Sequence, residues 1–181
     1  MSKKPYSKKN NFKKEVKEFD EEVLQIERVT RVVKGGRRLR FRCTVAIGDR
    51  KGRVGVGVGK SLEVVNGIKK AVAAAKKSMI KIPITKDGSI PHQVKLKYKA
   101  SRLLIMPASS GTGVIAGGSL RKVLGLAGIK NVLSKSFGTN NKLVNAQAAI
   151  KLLQELRPLR KTKEDKEKDV KEKTEVKKSE K

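Results

Sequence analysis

Between residues 38 and 47, Leu39, Phe41, Cys43, Val45 and Ile47 alternate with Arg38, Arg40, Arg42, Thr44 and Ala46. This two-residue period predicts a strand with one half buried. An apolar-rich run over 23–33 reads as its partner, joined through Lys34-Gly35-Gly36-Arg37. A Gly-Gly pair at that point favours a hairpin, because both positions accept positive φ. Beyond the turn at 48–52, Val54, Val56 and Val58 occupy one face of a third strand, and Gly55, Gly57 and Gly59 the other. The period then becomes helical. Ser61 is the expected N-cap of a helix to about residue 80, with Val65, Ile68, Val72, Ala75 and Met79 inward. Lys69, Lys70, Lys76 and Lys77 project elsewhere, so this unit should have one core face and one cationic face.

Pro83, Asp87-Gly88 and Pro91 mark a connection. The second unit predicts extended runs at 93–98 and 102–106, a glycine-rich stretch at 109–118, and a helix over 119–126 ending at Gly128. A strand near 129–136 and a helix over 141–156, stopped by Pro158, complete it. The fold class is α+β in two small domains. The boundaries are a basic, flexible N-terminal extension (1–21), a first domain (22–85), a linker (86–92), a second domain (93–158) and a Lys/Glu-rich tail (159–181). The tail holds too little apolar surface to offset its ordering entropy and is expected to be disordered.

Charge adds the partner. Residues 28–154 carry 27 lysines and arginines against three acids, Asp49, Glu63 and Asp87, and so hold most of the formal +28. A folded region so basic belongs beside a polyanion, and nucleic acid is the first reading. With no Trp, two Tyr and four Phe, stacking of splayed bases is disfavoured against phosphate and groove contacts. Arg38, Arg40 and Arg42 on one strand face, with Lys34, Gly35, Gly36 and Arg37 in the turn, form the sharpest candidate RNA site. Like charges two residues apart repel unless an anion lies across them. Lone Cys43 makes no internal disulfide, no signal or membrane segment is evident, and a cytoplasmic location is expected.

Two glycine runs test for catalysis. In Gly55-Val56-Gly57-Val58-Gly59-Lys60-Ser61, a P-loop would need glycine where Val54 stands. Gly111-Thr112-Gly113-Val114-Ile115-Ala116 fits a dinucleotide fingerprint, but no acid follows before Glu155 to hold a ribose. His92 is the only histidine, and metal-ligand clusters are missing. No enzyme, cofactor or metal is expected. A nucleotide-dependent enzyme therefore ranks below two alternatives, a ribosomal rRNA-binding protein and a free double-stranded-RNA-binding module.

The segments RVTRVVKGGRRLRF, VGVGVGKSLEV with IKKAVAAAKKSMI, and PASSGTGVIAGGSLRKVLGLAGIKNVLSKSFGTNN closely resemble the bacterial small-subunit ribosomal protein S-five family, over about residues 23–157. The resemblance implies an N-terminal domain like a double-stranded-RNA-binding domain, with a three-stranded antiparallel sheet plus helix, and a C-terminal ribosomal α+β domain. It implies binding to 16S rRNA near the neck and head, neighbours S-four and S-eight, and a place beside the channel through which mRNA enters. Gly113 and Arg121 match family positions at or near the S-four contact, where decoding accuracy is tuned. Val58 stands where the family often has an aromatic and Ser110 where it often has an acid. These departures weaken any stacking role at 58 and alter the polar S-four contact.

Overall fold

The computed structural model describes residues 18–85 and 87–158. Most of the N-terminal extension and all of the Lys/Glu tail lie outside the described residues. Strand β1 (Asp20–Val33) pairs antiparallel with β2 (Gly36–Gly48), and β2 with β3 (Arg53–Ser61). Helix α1 (Val64–Lys77) follows, and β4 (Ile80–Lys81) adds a short fourth strand beside β3. The expected three strands and helix are therefore present, with one strand more. Residues 20 and 21, assigned to the extension on sequence grounds, begin β1.

The helix starts later than Ser61 because Ser61 still pairs with Phe41 in the sheet; Glu63, in extended conformation, is the N-cap. It ends earlier than residue 80 because Ile80 and Lys81 enter β4, paired with Val54 and Arg53, while the Ser78 hydroxyl ties the helix end to the sheet by donating to the Val56 carbonyl at 3.0 Å. Of the expected inward residues only Val65 turns out, at 63% exposed; Ala75 is buried, Ile68, Val72 and Met79 pack against the core, and Gly67 and Ala71, in line with Ala75, also face the sheet. Small residues are required there. A Cβ on Gly55 would lie 2.6 Å from the Ala75 carbonyl oxygen, and one on Gly57 or Gly59 would strike the Ala71 or Gly67 carbonyl. The alternating glycines are structural, and they bring strand and helix backbones into direct contact. Cys43, Val45 and Ile47 fill the remaining space, and burial raises the Cys43 thiol pKa.

The second unit comprises β5 (Val94–Tyr98), β6 (Ser101–Pro107), β7 (Val114–Ile115), α2 (Gly118–Ala127), β8 (Val132–Phe137) and α3 (Lys142–Gln154). Its sheet runs β5-β6-β8-β7, with β7 and β8 parallel across α2. The last strand begins at Val132 rather than 129 because Ile129 is buried behind the helix end and Asn131 serves the glycine loop.

The expectation of a free cationic face opposite the core of the first unit is corrected here. Leu24, Ala46 and Val54, on the sheet face away from α1, join Leu120, Val123, Leu124, Ala149 and Leu153 of α2 and α3 in one buried cluster. The first sheet is thus buried on both sides, and the layers run α1, first sheet, α2 with α3, second sheet. A polar clasp marks the seam: Lys122 bonds Glu22 and the Val23 carbonyl, both at 3.0 Å. The stretch read as a linker is tied in as well. The Gly88 carbonyl accepts from the Lys130 amide at 2.7 Å, and Ser89 and Ile90 are buried.

Asp49 organises the β2–β3 turn that docks on the end of α2. Its carboxylate accepts from the Lys51 amide at 2.7 Å, the Arg53 amide at 2.9 Å and Arg53 Nε at 2.7 Å. The ordered turn then donates from Arg50 and Gly52 to the Leu126 and Ala127 carbonyls at 3.0 and 2.9 Å. Burial alone would raise the Asp49 pKa, but hydrogen bonds from Arg53 and Lys51, with the Arg53 charge, hold it below the usual carboxylate range.

Substitutions at Gly57 and Asp49 test these two contacts. Gly57→Val should cost at least about 3 kcal/mol in urea unfolding, because the side chain meets helix backbone that cannot yield. Asp49→Asn should cost about 1–2 kcal/mol at neutral pH by removing a charge-assisted bond. A depressed carboxylate stabilises the fold above its unfolded pKa, and this is lost as pH falls through the folded one. The wild-type advantage should therefore vanish in acid urea titrations, and a pH-independent difference would refute the assignment.

Candidate nucleic-acid interface

Strand β3 pairs with β2 only from Phe41 to Gly48. The rest of β2, with the distal half of β1, continues as a two-stranded ribbon beyond the core. A two-residue turn at Lys34-Gly35 closes it, with Gly35 at φ 90°. The register Val33↔Gly36, Arg31↔Arg38, Val29↔Arg40 and Glu27↔Arg42 sets which side chains share a face. Residues directly opposite on antiparallel strands point the same way. Arg31, Arg38 and Arg40 therefore share one face, over Val29 and Val33. Lys60 of β3, opposite Arg42, completes a groove of about 510 Å³.

Charge in this groove is unbalanced. Among the described residues none of Arg31, Arg38, Arg40 or Lys60 forms a salt bridge, whereas Arg42 is held by Glu27, with Nε donating at 2.6 Å. The three expected arginines thus divide. Arg38 and Arg40 lie open, and the anion across Arg42 is the protein's own. Arg31 and Lys60 belong to the groove but were missed by the sequence reading. Arg31 was recoverable, because a two-residue turn at 34–35 puts it opposite Arg38. Lys60 required the register of β3.

Helix α1 carries Lys69, Lys70, Lys76 and Lys77, all exposed. They lie across the sheet from the arginine groove, since α1 covers the Cys43 face and Arg42 belongs to the Ala46 face. The basic set is therefore two surfaces rather than one. Lys76 also stands 5.6 Å from the Phe19 ring, as does Arg53. Lys34, Gly35, Gly36 and Arg37 are exposed at the ribbon tip, Lys34 and Gly35 within the turn itself.

In the second unit the fingerprint-like loop is committed internally. The amides of Gly111 and Gly113 both donate to Asn131 Oδ1, at 3.1 and 3.2 Å, while Asn131 Nδ2 donates to the Asp87 carbonyl at 2.9 Å. Amides that would cradle a pyrophosphate are thus already engaged. Positive φ at Gly111 (93°) and Gly113 (76°) aims both at one oxygen. Gly113 is half-buried in this loop, and Arg121 is exposed on the first turn of α2. Ser110 is exposed and Val58 half-buried. Among the described residues no group of His, Cys, Asp and Glu could hold a metal, and no helix is long and apolar enough to cross a membrane.

The chain matches the family described as Ribosomal protein S5, N-terminal domain, over residues 19–83, and Ribosomal protein S5, C-terminal domain, over residues 96–166. It is 51% identical to "Small ribosomal subunit protein uS5" of Trichormus variabilis over 158 residues, 87% of this chain and 91% of that one. It is likewise 51% identical to "Small ribosomal subunit protein uS5c" of Rhodomonas salina over 150 residues, 83% of this chain and 89% of that one. The Spinacia oleracea protein of the same name is 50% identical over 139 residues, 77% of this chain and 45% of its own length. With both of its domains matched in order, the chain belongs to the ribosomal protein S5 family, whose members are structural proteins rather than enzymes.

Proposed function

We propose that the protein is a structural constituent of the small ribosomal subunit that binds 16S rRNA. It stabilises the head of the subunit relative to the body and contributes to translational accuracy beside the channel through which mRNA enters. The observation that carries this reading is the groove of Arg31, Arg38, Arg40 and Lys60, four cations without an acid partner among the described residues, on a ribbon that leaves the core. Arginine forks take phosphate oxygens in pairs, and the Gly35-Gly36 tip lets a sugar–phosphate chain approach the backbone. Arg42, anchored by Glu27, orients the base of the groove. Lys69, Lys70, Lys76 and Lys77 would meet a second RNA segment, because the sheet separates them from the groove.

Protein contacts belong to the second unit. Gly113 and Arg121 would face S-four, and the same domain would meet S-eight. A rigid body with RNA on two sides and protein on a third suits a clamp between subunit regions. The exposed loop holding Ser110 would shape the S-four contact through a hydroxyl.

Arg38→Ala with Arg40→Ala should leave the fold intact, since both side chains are exposed. The double variant should lower rRNA affinity and flatten the log–log salt dependence by about two, one unit for each phosphate no longer neutralised. It should also be recovered less in high-salt-washed small subunits after reconstitution. Arg42→Ala should weaken binding less. An unchanged salt slope with normal incorporation would make the groove ordinary solvent surface.

A further inference from the structure

We propose that the face of the β1–β2 ribbon turned away from the arginine groove is a protein-docking surface. Its occupant is a segment of another chain of the small subunit, one that presents aliphatic side chains interspersed with acids. This contact presupposes a place in the subunit and gives the first unit a protein partner of its own.

The two-residue period divides the ribbon. Val29, Arg31, Arg38 and Arg40 take one face, so Ile26, Arg28, Thr30 and Val32 of β1, with Arg37, Leu39 and Phe41 of β2, take the other. Thr30 stands opposite Leu39 and Arg28 opposite Phe41. Val32 is diagonal to Leu39, and Ile26 to Phe41, within side-chain reach. Farther in, α1 covers this face over Cys43 and Val45. That cover starts only at Val64, after Ser61 has paired with Phe41. Beyond it the apolar side chains are open: Ile26 is 47%, Leu39 42% and Val32 73% exposed. Leu62 and Val65, where the chain bends into α1, are 69% and 63% exposed. These are five of the seven large apolar residues exposed among the described residues. Single exposed apolar residues are ordinary, whereas a cluster marks an interaction surface.

The chemistry selects the partner. Surfaces that bind nucleic acid are polar and strongly cationic, and bases splayed onto them need aromatic platforms. Here the exposed groups are aliphatic, and Phe41 is half-buried. Interfaces between proteins set apolar residues inside a polar rim and are enriched in arginine. The arginines fix the sign. Arg28 and Arg37 are exposed, and among the described residues neither forms a salt bridge. No acid belongs to this face, and Glu63, before the first turn of α1, is held by Asn66 Nδ2 at 2.8 Å. Acids beside the partner's aliphatic residues would meet these arginines. A second copy of the chain would instead set arginine against arginine.

The test places the photo-crosslinking residue p-benzoylphenylalanine in the full chain, one site at a time, in place of Val32, Arg38, Leu39 or Arg40. Small subunits are then reconstituted from purified 16S rRNA and ribosomal proteins and irradiated. Neighbouring strand positions point to opposite sides, so 38 and 40 should give rRNA adducts, and 32 and 39 adducts to another protein. Sequencing of the attached peptides should find Asp or Glu beside aliphatic residues. At 32 and 39, adducts to rRNA or to a second copy, peptides without acids, or no adduct overturn the proposal. Val32→Ser with Leu39→Ser should keep the circular dichroism spectrum and the affinity and salt slope for free rRNA. The same variant should compete about tenfold less well with wild type for places in the subunit. Equal competition, or a loss of rRNA affinity, overturns the proposal too. Protein adducts at 32 and 39 without rRNA adducts at 38 and 40 would uphold this surface and fault the groove. If the chain fails to enter subunits, neither this contact nor the proposed function stands.

Discussion

Strand β3 and helix α1 touch through their backbones, and most of the architecture follows from that contact. With glycine at 55, 57 and 59 and small residues at 67, 71 and 75, no side-chain layer separates the two elements. The apolar side chains of β3 are consequently all on its other side, where Val54 and half-buried Val56 need a cover. Helices α2 and α3 supply it. The thinness of the first core thus obliges the second unit to dock, and the two units share one buried cluster.

The few acids within the folded region are spent on geometry. Asp49 shapes a turn, Glu27 holds Arg42, and Glu22 and Asp20 meet Lys122 and Arg50 where the chain's halves join. Apart from that of buried Asp49, these pairings are partly exposed, so each contributes modestly. Their joint effect is positional. Cations near the domain seam are neutralised within the protein, whereas those on the ribbon are left to an external partner. Like charges such as Arg31 and Arg38, opposite in register, raise the energy of the free protein, and phosphate across them relieves it.

Much of this was legible in the residues. Alternation set the β2 faces, the Gly-Gly pair marked the hairpin, and the glycines of β3 announced close approach. The register did not follow from the Gly-Gly pair, because the turn closes on Lys34-Gly35 rather than Gly35-Gly36, and only that places Glu27 opposite Arg42. What escaped was non-local. A valine face on β3 gives no hint of which helix will cover it. Val65 satisfies helical spacing as well as Val64 does, and only the sheet decides between them. Asn131, a polar residue in an apolar run, was a usable signal for an internal latch.

The ribbon also has a mechanical consequence. Its tip is continuous with the buried half of β2, which is hydrogen-bonded lengthwise to β3. A pull on the tip along the strand axis would therefore load the β2–β3 ladder in shear, with its bonds strained together instead of opened in succession. Through Val54 and Ala46 that load reaches α2 and α3 without crossing a loose joint. The arginine-bearing arm acts as a stiff lever rather than a tether, and displacement at its end is delivered to the opposite domain as rigid-body torque.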